Sequence, residues 1–260
     1  MSRATRDPIA KALEAIVQLV ESSKQQVGVR ELAASMQISP SSAHRILLKL
    51  VDTGFVAQER DSQRYSLGVE FFRIAQLSSR KLSLRDISLP AMQRIAKEFN
   101  ETVLLAVYDP ARRGMFFSAS VESTHPLRYV IEMNKWMAIH ASASGFAILA
   151  FLSDEEVETI INQTHLSPLT ANSITNAAEV RLELAKVRRQ GYALSRGQRI
   201  PGAVGLAVPI FDSMHQVVGD ICVTIPEQRF DSSQIDPLLQ AMRRCVRDIE
   251  EKIGSKLLSP

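Results

Sequence analysis

Apolar positions along the chain alternate between helical and strand-like spacing. Ile9, Leu13, Ile16, Val17 and Val20 recur at helical spacing behind Asp7-Pro8, a capping carboxylate with proline at the first helical position; this predicts a helix from Pro8 to about Ser22. VRELAASM, with Leu32, Ala33 and Met36 on one face, predicts a short second helix that ends in the turn QIS. Ser39 and Pro40 open a third, in which Ala43, Ile46, Leu47, Leu50 and Val51 form a continuous buried stripe. Ser41, Arg45 and Lys49 then face outward, His44 and Ser42 flank them, and Leu48 points out as well. After Gly54, the runs FVAQ and RYSL around the charged tip ERDSQ read as a β-hairpin.

The remaining two thirds follow a different pattern. Residues 69–100 read as helix in two pieces, with Pro90 marking a kink or a new start near Ser88 and a linker around Ser79–Ser83. TVLLAVYD and MFFSASVES around PARRG predict a hairpin, LRYVIEM a further strand, and AVGLAVPIF with QVVGDICVTI a last hairpin around DSMH. HASASGFAILAFL starts as loop and becomes helix, DEEVETIIN continues it, NAAEVRLELAKVRRQ is a helix closed by Gly191, and a final helix runs from about Asp231 to Lys256. The layout is α+β in two domains, 1–82 and 83–260.

Charge sharpens the first domain's role. Residues 1–85 carry 13 Lys and Arg against 8 Asp and Glu, leaving 18 against 20 for the rest of a chain whose net charge is only +3. A basic N-terminal domain, with two short helices, a tight turn, a support helix and a hairpin, is a winged helix-turn-helix suited to meeting DNA. SPSSAHR supplies what the entering end of a recognition helix needs, small polar residues and donors for base edges and phosphates. The bland alternative is a winged helix used for protein contacts.

Other chemistry is sparse. Cys222 and Cys245 lie far apart without CxxC spacing, and the histidines at 44, 125, 140, 165 and 215 show no metal-ligand spacing, so no metal and no cofactor are expected. No apolar run approaches a membrane span and the N-terminus has no apolar signal core, which predicts a cytoplasmic protein. A hydrolase built on Ser142 or Ser144 beside His140 is the enzyme alternative, but HASASG lacks the GxSxG elbow.

The chain resembles the isocitrate lyase regulator (IclR) family of bacterial transcription factors over nearly its whole length. The residues that carry the resemblance are KALEAIVQL, VRELAASM, SSAHRILLKLVDTGFV, YSLG, HASASG followed by AILA, and GYALSRG with AVGLAVPIFD. The resemblance implies an N-terminal winged helix-turn-helix domain, a linker helix, and a GAF-like effector domain with an antiparallel sheet flanked by helices. It also implies a dimer or dimer of dimers on an operator with an inverted repeat, and effectors that are small organic acids, including aromatic ones. On DNA, Ser41, Ser42, His44, Arg45 and Lys49 match the recognition helix, and Arg60 and Arg64 the wing.

For the effector, the loop His140 to Gly145 matches the family's carboxylate-holding loop, through backbone N–H groups that precede a helix. Ser144, Gly145, Phe146, Ser195, Gly205, Cys222 and Thr224 are the expected pocket residues. Gln198, Gly205 and Phe146 stand where the family more commonly has Glu, then Cys, Ser or Ala, then Lys or Arg, which implies a pocket with less charge and bulk and room for a larger or more apolar effector. A DNA-binding factor without effector control is the alternative that these departures suggest.

Overall fold

A computed structural model describes residues 7–79 and 84–257. The chain divides into two compact units, residues 1–81 and 82–260. The expected linker around Ser79–Ser83 lies, beyond Ser79, outside the described residues.

The first unit contains α1 (Pro8–Glu21), α2 (Val29–Ser35), α3 (Pro40–Asp52), β1 (Val56–Gln58), β2 (Tyr65–Leu67) and α4 (Val69–Ser79). Its caps are the ones the sequence predicts: the Asp7 carboxylate accepts from the Ile9 N–H, and Ser39 Oγ from the Ser42 N–H. Ala43 and Leu47 of α3 are fully buried, and Leu47 meets Leu19, Leu32, Val56 and Tyr65 in one core. β1 and β2 pair antiparallel, and Val27 joins Tyr65 through a bridge that extends this small sheet.

One expectation is corrected in α1. Ala15 and Leu19, helped by Ala12 and Ile16, face the core, whereas Ile9, Leu13, Val17 and Val20 are exposed. The helix carries apolar residues on two faces, and a periodic run cannot say which face the rest of the unit will cover.

The second unit is a three-layer sandwich. Its six antiparallel strands are β3 (Thr102–Asp109), β4 (Gly114–Val121), β5 (Met137–Ala138), β6 (Ala193–Arg196), β7 (Ala203–Phe211) and β8 (Val217–Pro226), in the spatial order β5-β4-β3-β8-β7-β6. α5 (Leu84–Phe99) and α9 (Ile235–Leu257) bury one face over Val103, Leu105, Val208, Ile221 and Val223. α6 (Ala143–Leu149), α7 (Asp154–Thr164) and α8 (Ala177–Gln190) bury the other over Leu104, Ala106, Ala207 and Cys222. Successive residues of β3 and β8 therefore enter different cores, and both strands are buried almost end to end.

Other expectations in this unit are revised. α5 runs unbroken from Leu84 through Pro90, so no new helix starts at Ser88; the Ser88 hydroxyl instead donates to the Leu84 carbonyl inside the helix. LRYVIEM is not a strand: its stretch is irregular, Leu127 and Val130 are exposed, and Tyr129 Oη donates to the Pro201 carbonyl. α6 and α7 are separate helices, since Ser153 starts α7 with a capping box closed by Glu156. The short edge strands β5 and β6 carry no pattern long enough to be read from sequence.

Because Leu47 is fully buried in the small core of the first unit, Leu47→Ala should lower that unit's unfolding free energy by ~2–5 kcal/mol, measured by denaturant titration of the full chain followed by circular dichroism.

Candidate functional site: an outer helix face and an inner cavity

In the first unit the outer face of α3 is open. Ser41, His44, Arg45, Leu48 and Lys49 are exposed, and the Lys49 ammonium lies 3.7 Å from the exposed Asp52 carboxylate. Ser42 is committed to the cap, where it receives the Ser39 hydroxyl hydrogen at 2.9 Å. The two wing arginines differ. Arg60 is exposed at the hairpin tip, whereas Arg64 turns back, donating to the Gln26 carbonyl at 3.1 Å and to Glu31 at 2.7 Å. Glu31, which also bonds the Gly28 N–H and Lys24, has its carboxyl held down at about 2, first by that backbone bond. Arg64 thus ties the wing to the start of α2.

In the second unit a small cavity of about 50 Å³ opens on the α6 side of the sheet. Leu104, Phe117, Ile131, Ile200 and Ala203 form apolar walls; Ser142, Ser144, Ser195, Cys222 and Thr224 give it polar spots. Gly205 makes the room: a Cβ there would stand 3.1 Å from both Ala143 Cβ and Ser195 Oγ. Of the seven expected pocket residues, Ser144, Ser195, Gly205, Cys222 and Thr224 line the cavity, while Gly145 and Phe146 do not. Gly145 is there for close packing, since a Cβ would come within 2.5 Å of the Ile139 carbonyl oxygen. Phe146 is wholly buried in the core under α6, so its apolar ring does not widen the pocket.

The loop ahead of α6 is spent differently from the expectation. The Ala143 N–H donates to Ser195 Oγ at 3.0 Å and the Gly145 N–H to Ser142 Oγ, so these amides are not free for a carboxylate. Ser142 itself holds φ 84° and ψ 165°, a region nearly reserved for glycine, at a cost of ~1–3 kcal/mol that the surrounding structure must sustain. Positive charge comes instead from a residue the sequence reading passed over. Arg199 lines the cavity, donates through Nη2 to the carbonyls of Ala138 and Ala141 at 2.7 and 3.2 Å, and leaves its buried Nε without a partner. Among the described residues no carboxylate pairs with it, and burial lowers its pKa below the usual arginine range. The rim that presents it is pinned by Thr170 and Ser173, whose hydroxyls donate to the carbonyls of Gly197 and Gln198 at 2.6 and 2.7 Å. Gln198 also lines the cavity and its buried Oε1 has no partner.

Beneath Ser144 lies an acidic group. The Ser144 hydroxyl donates to Asp220 Oδ1 at 2.9 Å, while Oδ2 is buried and unpartnered. Burial pushes the Asp220 carboxyl up to about 7, against the lowering effect of the Ser144 bond, and it pushes the Cys222 thiol up to about 12, assisted by the Asp220 charge. Cys222 is therefore not a nucleophile. His140 Nε2 meets the Ser167 carbonyl at 2.9 Å and the Ser144 hydrogen goes to Asp220, so among the described residues these groups form no Ser–His–carboxylate relay. Among the described residues no cluster of three or more His, Cys, Asp or Glu could hold a metal, and no helix is long and apolar enough to cross a membrane.

Comparison with known proteins decides the family. Residues 76–251 match the profile described as the bacterial transcriptional regulator IclR C-terminal domain, and residues 9–60 match the IclR helix-turn-helix domain. The chain belongs to the IclR family. Such proteins are DNA-binding transcription regulators and not enzymes. Among relatives, the HTH-type transcriptional regulator KipR of Bacillus subtilis is 27% identical over 231 residues, covering 89% of this chain and 91% of that protein. A crystal structure of an IclR transcriptional regulator from Silicibacter sp. TM1040 is similar at TM-score 0.82 and 24% identity, covering 95% of this chain and 96% of that one. An IclR homologue from Microbacterium hydrocarbonoxydans, complexed with 4-hydroxybenzoate, is similar at TM-score 0.79 and 23% identity, covering 95% and 99% of the two chains.

Asp220 sets a pH dependence whose sign follows from its raised pKa. An unfolded aspartate releases its proton near 3.9, whereas the folded one holds it to about 7, so stability falls as pH rises between those values and stays low above them. Asp220→Asn should therefore melt above the wild type at pH 8, with the difference shrinking on the order of 1 kcal/mol per pH unit as pH falls through that window. Melting curves of both proteins at pH 5, 6.5 and 8 check it; a pH-independent difference would show that Asp220 does not titrate in this range.

Proposed function

We propose that this regulator reads a DNA operator with the outer face of α3 and releases or grips it in response to a small carboxylate bound in the cavity of the second unit. The observation that carries the effector class is Arg199, a buried guanidinium with no carboxylate partner among the described residues, in a cavity whose other lining is uncharged. Leaving a buried charge uncompensated is costly, and an anionic ligand offsets that cost where water cannot. Its Leu104, Phe117 and Ile131 walls suit an acid with an apolar body. The 4-hydroxybenzoate bound by the Microbacterium hydrocarbonoxydans homologue supports that class.

On this reading Ser144, Ser195, Gly205, Cys222 and Thr224 surround the ligand and Arg199 neutralises it. Gly145 and Phe146 support α6 from behind. On the DNA side, Ser41, His44 and Arg45 reach base edges from the N-terminal half of α3, Ser42 holds that turn in shape, and Lys49 and Arg60 meet phosphates. Two such units on an inverted repeat require at least a homodimer, and the effector biases dimer arrangements with different half-site spacing. The protein acts in the cytoplasm, where its DNA is.

Two measurements test the proposal. In calorimetric titration against a panel of small and single-ring carboxylic acids, at least one acid should bind the wild type, and Arg199→Gln should weaken it tenfold or more; an acid at 100 times its dissociation constant should stabilise the protein by ~2.7 kcal/mol. If no acid binds or stabilises, the protein regulates without an effector or with a non-acidic one. In operator binding, selected from a random duplex pool, Arg45→Ala should cost ~1–3 kcal/mol and relax the preferred sequence, whereas Lys49→Ala should weaken all duplexes alike and reduce the salt dependence.

A further inference from the structure

Leu48 is a large apolar side chain on an otherwise polar stretch of helix surface. α3 buries Ala43, Leu47 and Leu50, while Ser41, His44, Arg45, Leu48, Lys49 and Asp52 are exposed. Leu48 follows Ser41 by seven residues, His44 by four and Arg45 by three, so the four share one stripe of the helix. Its side chain is 41% exposed and takes no place in the core that its neighbours Leu47 and Leu50 join. A lone exposed leucine on an ordinary surface calls for no explanation. This one interrupts the row of residues that faces an operator.

The helix rise of ~1.5 Å per residue puts Leu48 about 10 Å from Ser41 along the axis, and about 4.5 Å beyond Arg45, little more than one ~3.4 Å base step. One turn further, Asp52 carries a carboxylate that DNA phosphates repel, and Lys49 lies 3.7 Å from it. The reading row therefore ends at Leu48 and Lys49.

Leucine has neither a donor nor an acceptor to offer a base edge. The apolar group that the major groove presents is the thymine C5-methyl, and against it both surfaces leave water together. Against cytosine the same side chain would desolvate the N4 amino group and return no hydrogen bond. Burial of one methyl-sized group changes an affinity about fourfold.

We infer that Leu48 is a specificity residue for a thymine of the operator, seated against its C5-methyl one or two base pairs from the pair that Arg45 reads. This rests on the reading of α3 as the operator helix, and it adds the identity of one base and the group by which it is recognised.

The test uses operator duplexes selected from a random pool by the full-length protein, with each thymine of one half-site replaced in turn by deoxyuridine, which removes only the C5-methyl. Anisotropy titration at one salt concentration should find one thymine, within two base pairs of the position whose preference Arg45→Ala relaxes, where the dU duplex binds the wild type three- to tenfold more weakly than the dT duplex. Leu48→Ala should bind those two duplexes within about twofold of each other, with wild-type discrimination at the other base pairs and a wild-type melting temperature. Leu48→Met, which keeps an apolar side chain of similar reach, should retain the dT preference and guards against an alanine variant that folds poorly. Equal binding of every dU duplex by the wild type, or a dU penalty that persists unchanged in Leu48→Ala, would overturn the inference while leaving operator reading by α3 intact. Failure of the wild type to enrich any sequence would overturn the operator reading and the inference with it.

Discussion

A sheet buried on both faces is the constraint on which the second unit depends. β3 and β8 sit in the middle of six strands between two helical layers, so consecutive side chains enter two separate cores and neither face meets bulk water. Under that condition a polar residue on either strand needs a partner supplied by the fold or by a ligand. Asp220, Cys222 and Thr224 follow one another at period two along β8 on the α6 side, and Leu104 and Ala106 oppose the first two from β3. The cavity is a gap in that layer, kept open where Gly205 omits a side chain beside Ser195.

Around the gap, the backbone has been fitted at some cost. Ser142 holds a strained conformation, the edge loop carrying Gln198 and Arg199 is pinned by two hydroxyl groups from residues 170 and 173, and three buried polar atoms, on Gln198, Arg199 and Asp220, lack partners. Strain and unsatisfied polar groups concentrate where a protein waits for a ligand, because the ligand recovers part of what the unliganded fold gives up. The first unit shows the opposite economy. Its caps and wing tie are internally satisfied, only Tyr65 Oη among its described buried side-chain atoms lacks a partner, and the outer face of α3 and Arg60 are exposed to solvent.

Arg64 and Arg199 show how position decides the use of one residue type. Arg64 is partly buried beside Glu31 and the Gln26 carbonyl, so its charge is consumed in holding the wing to α2. Arg199 lines the cavity with two backbone carbonyls and, among the described residues, no acid as partners, so its charge is available to whatever enters the cavity. Nothing in QRYS or GQRIP distinguishes them.

Local chemistry explains what the sequence alone determined. Asp7-Pro8 and Ser39-Pro40 cap and open their helices, the α3 stripe and its polar outer face follow from a period of 3.6, and Gly191 closes α8 in the left-handed conformation. Family membership was legible for the same reason, since its motifs are short and contiguous. Tertiary structure decided what depends on which neighbour arrives: the face of α1 that is covered, the irregular path of residues 127–133 where a strand pattern stands, and the continuity of α5 through Pro90. Within the cavity, five of the seven expected residues meet because they flank it in space. Phe146 and Gly145 turn away because helix α6 offers the cavity only one face, and Arg199 and Asp220 enter the chemistry through contacts with residues 58 and 76 positions away along the chain, a separation across which no local pattern carries information.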